Sequence, residues 1–379
     1  MDVVEFSISF LITLLMFLFG GIFLHRSLKN QRMAFTLTIS LFFGMLAALA
    51  ETLRVSLEVS FDKTIFLFFS LLLWCFMYLT ALIFFQQLNS DRINYLIFSL
   101  ALVFLVNHFI FGLFYLRNIE DFILNNIIII LWDFFYDALG AFTFIFGAYV
   151  HFKIYKKTKE KPGLLLGIAL SSISFGFIWA FFGDLVSTLK SVFGGFEGFF
   201  GPNGLFYDYL MIGDIFKILG IIIFVLYYIM NINYIFRLPY AIDSVMVFNR
   251  IGLFIYAAVY SEIKNEELEK IPVELITGAL NAFSTFMSET TGSRQPLEKI
   301  VTGDKQVIVK TSKLISVAVV TEKSTFFLNL SMKRLIANLE NQYRTHLLKN
   351  YTDSSYYSDI SNFIYDAFPY LGLPFAEQE

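Results

Sequence analysis

This chain has one cysteine and four histidines among its 379 residues. A single thiol excludes an intrachain disulfide, and Cys75, set inside an apolar run, reads as a small buried hydrophobe. The histidines (His25, His108, His151, His346) have no neighbour at the spacing a zinc or transition-metal site needs, so no metal is expected. His25 and His151 fall at the ends of apolar runs, where snorkelling or the negative end of a helix dipole accounts for them. No GxxxxGK[ST] phosphate loop occurs, nor a GxSxG or HExxH pattern. The chain is therefore not expected to be an enzyme, and no cofactor is implied. Charge is scarce as well: Asp, Glu, Lys and Arg make up 16% and the net charge is −3. That balance offers nucleic acid no electrostatic footprint. The start (Met1, Asp2, Glu5) lacks the basic region of a cleaved signal peptide, so the first apolar run is expected to be retained.

What is present is apolar. Hydrophobic residues make up 57% of the chain, with 48 phenylalanines, well above the ~45–50% of soluble domains. Seven runs have lipid length: residues 6–24, 33–50, 65–85, 95–116, 127–152, 164–185 and 209–236. About 20 helical residues at ~1.5 Å rise cross ~30 Å of hydrocarbon, so the sequence predicts seven membrane helices. Arg26, Lys29, Arg32, Arg92, Lys153, Lys156, Lys157, Lys159, Lys161 and Arg237 fall in alternate loops. The other loops hold only Arg54, Lys63, Arg117 and Lys190. The positive-inside rule then puts the N-terminus outside and everything after residue 237 in the cytoplasm.

Ionisable residues inside membrane runs mark function or structural pairing, because burying a charge in lipid is costly. Asp133 and Asp137 share one helix face at i, i+4, and Asp214 and Lys217 share one at i, i+3. Counted from the outer ends of their runs, Asp133 lies ~9 Å and Asp137 ~15 Å deep, and Asp214 ~8 Å and Lys217 ~12 Å. Asp184 ends the sixth run. These five, with Trp132 and Trp179 and with Asn107 and His108 nearby, predict a polar cluster among the fifth, sixth and seventh helices. It would be either an outward-facing pocket for a ligand or ion, or an ion-pair network holding the helices together. The loop 193–204 (FGGFEGFFGPNG) reads as a lid or as an interfacial segment. A lysine in the seventh run near an aspartate resembles the retinal-binding helix of microbial rhodopsins. Here, however, the spacing is three rather than four, and the third run lacks that family's arginine and carboxylates.

After Arg237-Leu238-Pro239 the composition changes, giving domains at 1–237 and 238–379. Strands are predicted at 244–248, 253–260, 297–302, 306–310 and 314–321. Helices are predicted at 272–288, from Ser324 or Thr325 to 348, and at 359–368. The order is β-β-α-β-β-β-α with a last short helix. That order, with the glycine-containing hairpin NRIGLFIY, the strand LISVAVVTEKS and the amphipathic LNLSMKRLIANLENQY, resembles the longin domain and the related roadblock group over residues 242–350. The resemblance implies a five-stranded antiparallel sheet with helices packed on it, and a non-catalytic platform. Such platforms pair with like domains, as homodimers among others, and engage small GTPases in trafficking and signalling. A longin domain usually leads its chain and here it trails, which favours a signalling or scaffold role. The expectation is a receptor-like or scaffold protein of the lipid bilayer whose cytoplasmic domain binds such a partner. The alternative is a transporter or channel that uses the intramembrane Asp/Lys cluster.

Overall fold

A computed structural model describes residues 35–56, 60–117, 122–193, 205–230, 240–249, 251–260, 298–351, 354–357 and 359–368, with isolated positions elsewhere. They divide into two compact units. One is Met1–Gln86 with Ile93–Ile235; the other is Gln87–Arg92 with Phe236–Glu379.

The first unit is helical. Its elements are α1 (Phe35–Ser56), α2 (Ser60–Asn89), α3 (Tyr95–Leu116), α4 (Phe122–Thr158), α5 (Lys161–Phe193) and α6 (Leu205–Met230). Among the described residues five helices, α1 to α5, are long and apolar enough to cross a membrane, where the sequence predicts seven. The difference lies at the two ends. The first predicted run falls largely outside the described residues. Within α6 the apolar stretch that qualifies is Ile215–Tyr227, shorter than a span. The 37 residues of α4 reach ~55 Å, beyond the hydrocarbon thickness, so its lysine-bearing end projects past the apolar layer. Lys159, at φ 59°, ends α4 in a left-handed residue whose N–H donates to the Tyr155 carbonyl (2.8 Å), and α5 begins two residues later.

Phenylalanine rings seated against glycines pack this unit. A Cβ on Gly112 would stand 2.5 Å from the Phe68 ring. On Gly147 it would stand 2.7 Å from Phe85, and on Gly167 2.6 Å from Phe152. Apolar side chains gain little from leaving lipid for one another, so such fitted contacts and hydroxyl-to-carbonyl bonds hold membrane helices. Thr13 and Thr52 share a hydrogen bond (2.9 Å), Ser40 Oγ donates to the Met77 carbonyl (2.9 Å), and Ser70 Oγ donates to Ala47 (3.0 Å). The α5–α6 pair approaches backbone to backbone: a Cβ on Gly220 would meet the Ala169 carbonyl at 2.5 Å.

The second unit holds a five-stranded, wholly antiparallel sheet of β1 (Ile242–Asn249), β2 (Phe254–Val259), β3 (Lys299–Thr302), β4 (Lys305–Thr311) and β5 (Ile315–Thr321), in the order β2-β1-β5-β4-β3. All five predicted strands are present within a few residues of their expected bounds. The two middle strands are apolar on both faces. Val245 and Val247 pair with Val319 and Val317 on one, while Met246 and Phe248 meet Ala318 and its neighbours on the other. That is the pattern of strands covered on both sides. The Asn249 side chain accepts from the N–H groups of Ile251 (3.1 Å) and Leu253 (2.8 Å). With Gly252 at φ 78°, this closes the first hairpin. Gly303, at φ 56°, turns β3 into β4.

Helix α7 (Phe326–Leu348) starts at Thr325, whose hydroxyl accepts from the Leu328 N–H (3.1 Å), so Thr325 rather than Ser324 is the cap. Its buried Leu328, Met332, Leu335, Ile336, Leu339 and Tyr343 are the predicted apolar face. Glu340 on the same helix accepts from Ser312 Oγ (2.5 Å) and the Leu314 N–H (3.0 Å), fixing the turn before β5. Helix α8 (Ile360–Ala367) is tied to α7 by Arg334–Asp366 (2.9 Å). The predicted helix 272–288 and the loop 194–204 lie outside the described residues.

Candidate functional site

The polar residues of the helical unit gather where α2, α4 and α5 meet. Asp137, one turn below Asp133 on α4, is 5% exposed. It is buried beside Cys75 and Tyr78 of α2 and Tyr136 of its own helix. The Tyr78 and Tyr136 hydroxyls share a hydrogen bond of 2.8 Å. Thr143, two turns further along α4, donates to the Tyr78 carbonyl (3.3 Å). Glu51 of α1 acts on the same tyrosines from a third side while paired with Arg54 (2.7 Å).

Phe177 of α5 roofs the tyrosine pair. Its ring meets Tyr78 edge-to-face at 5.4 Å and Tyr136 at 6.0 Å, and it stacks on Phe144 at 5.9 Å with 7° between the planes. Gly140 on α4 makes room for it, since a Cβ there would lie 2.9 Å from the ring. Lys217 of α6 comes to the same ring, with Nζ 5.0 Å from the Phe177 centroid. Its stem lies against Gly176, where a Cβ would be 2.5 Å from Lys217 Cγ.

The sequence names Asp137 and Lys217 for this region. The structure sets them about a single aromatic ring, Asp137 beside the two tyrosines that Phe177 touches and Lys217 over its face. Asp133 is half-buried on α4. Asp184 lies on α5 and Asp214 on α6 as predicted, but their side chains fall outside the described residues. Trp179 packs on Phe175 (5.6 Å) and faces Gly213, where a Cβ would approach it to 3.1 Å.

Trp132 is 2% exposed and serves another centre. Its indole N–H donates to His108 Nε2 (3.1 Å), and His108 Nδ1 donates to the Trp132 carbonyl (3.1 Å). Both imidazole nitrogens are thereby used, which assigns the tautomer. Asn107, next to it, turns its amide to the Val103 carbonyl of its own helix (2.8 Å). His151 departs from the snorkelling expected of it: it is 1% exposed, its Nδ1–H donates to the Gly147 carbonyl (2.9 Å), and its ring stands on Phe85. The reason is the length of α4, which continues past His151 and leaves it inside the packed bundle.

Compared with family models, curated proteins and solved structures, the chain matches none. Its own geometry carries the functional argument.

Sequence reasoning missed Tyr78, Tyr136 and Phe177. Tyr136 had a usable signal, since it adjoins Asp137 in mid-run, where a hydroxyl needs a partner. Tyr78 and Phe177 had none, because their contacts join residues 58 and 41 positions apart from Tyr136, a separation that helical periodicity does not encode.

Proposed function

We propose that the chain is a receptor-like or scaffold integral membrane protein. It spans the bilayer seven times, with the N-terminus outside and the sheet domain in the cytoplasm. The sheet domain is longin-like and docks a protein partner, a small GTPase or another longin or roadblock domain, in signalling or trafficking. The observation that carries this reading is the five-stranded antiparallel sheet, with α7 laying its apolar face inward, following directly on a lipid-length helical region. The strand and helix order supports the longin likeness. The positive-inside distribution supports the orientation.

Within the same reading, Asp133, Asp137, Asp184, Asp214, Lys217, Trp132 and Trp179 belong to an outward polar site among the later helices. A second reading, transport, is favoured by the burial of Asp137 beside a hydroxyl pair.

One experiment separates the two. The full chain in lipid nanodiscs is presented to purified small GTPases in each nucleotide state and to longin and roadblock domains. Nucleotide-dependent or domain-specific capture is expected. Capture of neither class, together with substrate or proton uptake into proteoliposomes that Asp137→Asn abolishes, would replace the receptor reading by the transport one.

A further inference from the structure

Phe177 is the point at which three membrane helices exchange contacts through one side chain. Its face carries the Lys217 ammonium of α6 at 5.0 Å, within the roughly 6 Å over which a cation is drawn to an aromatic face. Its edges meet Tyr78 of α2 and Tyr136 of α4, whose hydroxyls are bonded to each other at 2.8 Å. Its far side is flat on Phe144, and its outer atoms occupy the niche of Gly140. The ring is 4% exposed, so it cannot shift without displacing one of these neighbours.

A residue so confined transmits rather than absorbs. If the ammonium leaves the ring face, the ring loses an attraction on one side only and tilts toward or away from the tyrosine pair. If the tyrosines rearrange, the ring surface offered to Lys217 changes in turn. The route from the α6 cation to the Asp137 cluster is thus a single packed side chain with charge on one side and a hydrogen-bonded pair on the other.

We propose that Phe177 is a coupling residue. It converts a displacement of Lys217 on the last membrane helix into a change in the Tyr78–Tyr136 hydroxyl pair beside Asp137, and the reverse. The purpose of the coupling rests on the receptor reading, but its test does not. A bundle that captures no cytosolic partner would still show the coupling, and a bundle without the coupling could still capture one.

The test uses the full chain in nanodiscs with tyrosine labelled by carbon-13 at Cζ. The Tyr78 and Tyr136 signals are assigned through Tyr78→Phe and Tyr136→Phe. Lys217→Met is expected to move both signals, while Lys217→Arg, which keeps a cation over the ring, leaves them near their wild-type positions. In a Phe177→Leu background, Lys217→Met is expected to move neither. Gly140→Ala, which intrudes on the ring from the opposite side, supplies a perturbation that spares Lys217 and is expected to move the same two signals. The proposal is overturned if Lys217→Met leaves both signals in place, if Lys217→Arg moves them as far as Met does, or if the movement persists without the Phe177 ring. Should Phe177→Leu fail to fold, the contrast between the Met and Arg variants and the response to Gly140→Ala still decide it.

Discussion

Tyr343 sits at a break in α7, with φ −106° and ψ 18°, and is 8% exposed. Its ring meets Tyr357 edge-on at 5.1 Å and Phe363 at 6.1 Å, so the C-terminal helix and the turn before it are gathered on this residue. Its hydroxyl has no hydrogen-bond partner of ordinary geometry. Burial first, and the Asp359 carboxylate second, push its ionisation above the usual tyrosine range, with the Asp359 backbone acting in the opposite direction. Tyr357 is raised too, by burial and then by Tyr343. A phenol whose folded value is raised contributes stability that is present below the unfolded value and lost as pH climbs through the folded one. Amide exchange along α7 in the full-length protein should therefore accelerate as pH rises past about 10, once intrinsic base catalysis is divided out. Tyr343→Phe should flatten that dependence while leaving protection at neutral pH near wild type. An unchanged alkaline slope in the variant would show that this phenol is not responsible. Tyr343 was legible in the sequence as a member of the apolar face of its helix. The break was not, because nothing in ENQYRTHLL marks a departure from helical spacing and the cause is the turn packed against it.

Element by element, the sheet domain was legible and the membrane bundle less so. Alternation and turn residues encode strands locally: NRIG and GD mark the two hairpins, and Thr325 marks a helix start, so the five strands and α7 fall close to their predicted places. In the bundle the runs locate helices but not their contacts, because lipid-facing and partner-facing positions are equally apolar. The contacts are set by glycines, which carry no periodic signal of their own. Gly220 illustrates this. A Cβ there would lie 2.5 Å from the Ala169 carbonyl and 3.0 Å from the Ile173 N, both backbone atoms that cannot rotate aside. Gly20, by contrast, has nothing within 4 Å. Gly220→Ala should thus separate α5 from α6 and destabilise the protein by about 1–3 kcal/mol, as overpacking does. Gly20→Ala should be neutral or slightly stabilising through helix propensity. Thermal unfolding in detergent compares the two; equal melting temperatures would refute the close approach of these helices.

For the whole molecule the open quantity is how many times the chain crosses the bilayer, and it reduces to whether α6 crosses. Between the lysine-rich end of α4 and the sheet domain lie two helices, α5 and α6. Helix α5 is long and apolar enough to span. If α6 also spans, the sheet domain returns to the side of Lys157; if it lies in the interface, the domain shares the side of Arg117, on the other end of α4. At 26 residues α6 reaches ~39 Å, enough for the hydrocarbon layer, although its qualifying apolar stretch is shorter. Lys217 within it is accommodated by its approach to the Phe177 ring, and the close contact of Gly220 with α5 argues for a helix packed alongside its neighbour. Cys75 is the one native cysteine and is buried, so Cys75→Ala gives a clean background for labelling. Arg117, Lys157 and Lys349 are each exposed. Single cysteines at these positions, treated with a membrane-impermeant maleimide, are expected to react as follows: Arg117→Cys in intact cells, Lys157→Cys and Lys349→Cys only after permeabilisation. Labelling of Lys349→Cys together with Arg117→Cys would mean that α6 does not cross, and the sheet domain would then face the side opposite the one the charge distribution demands.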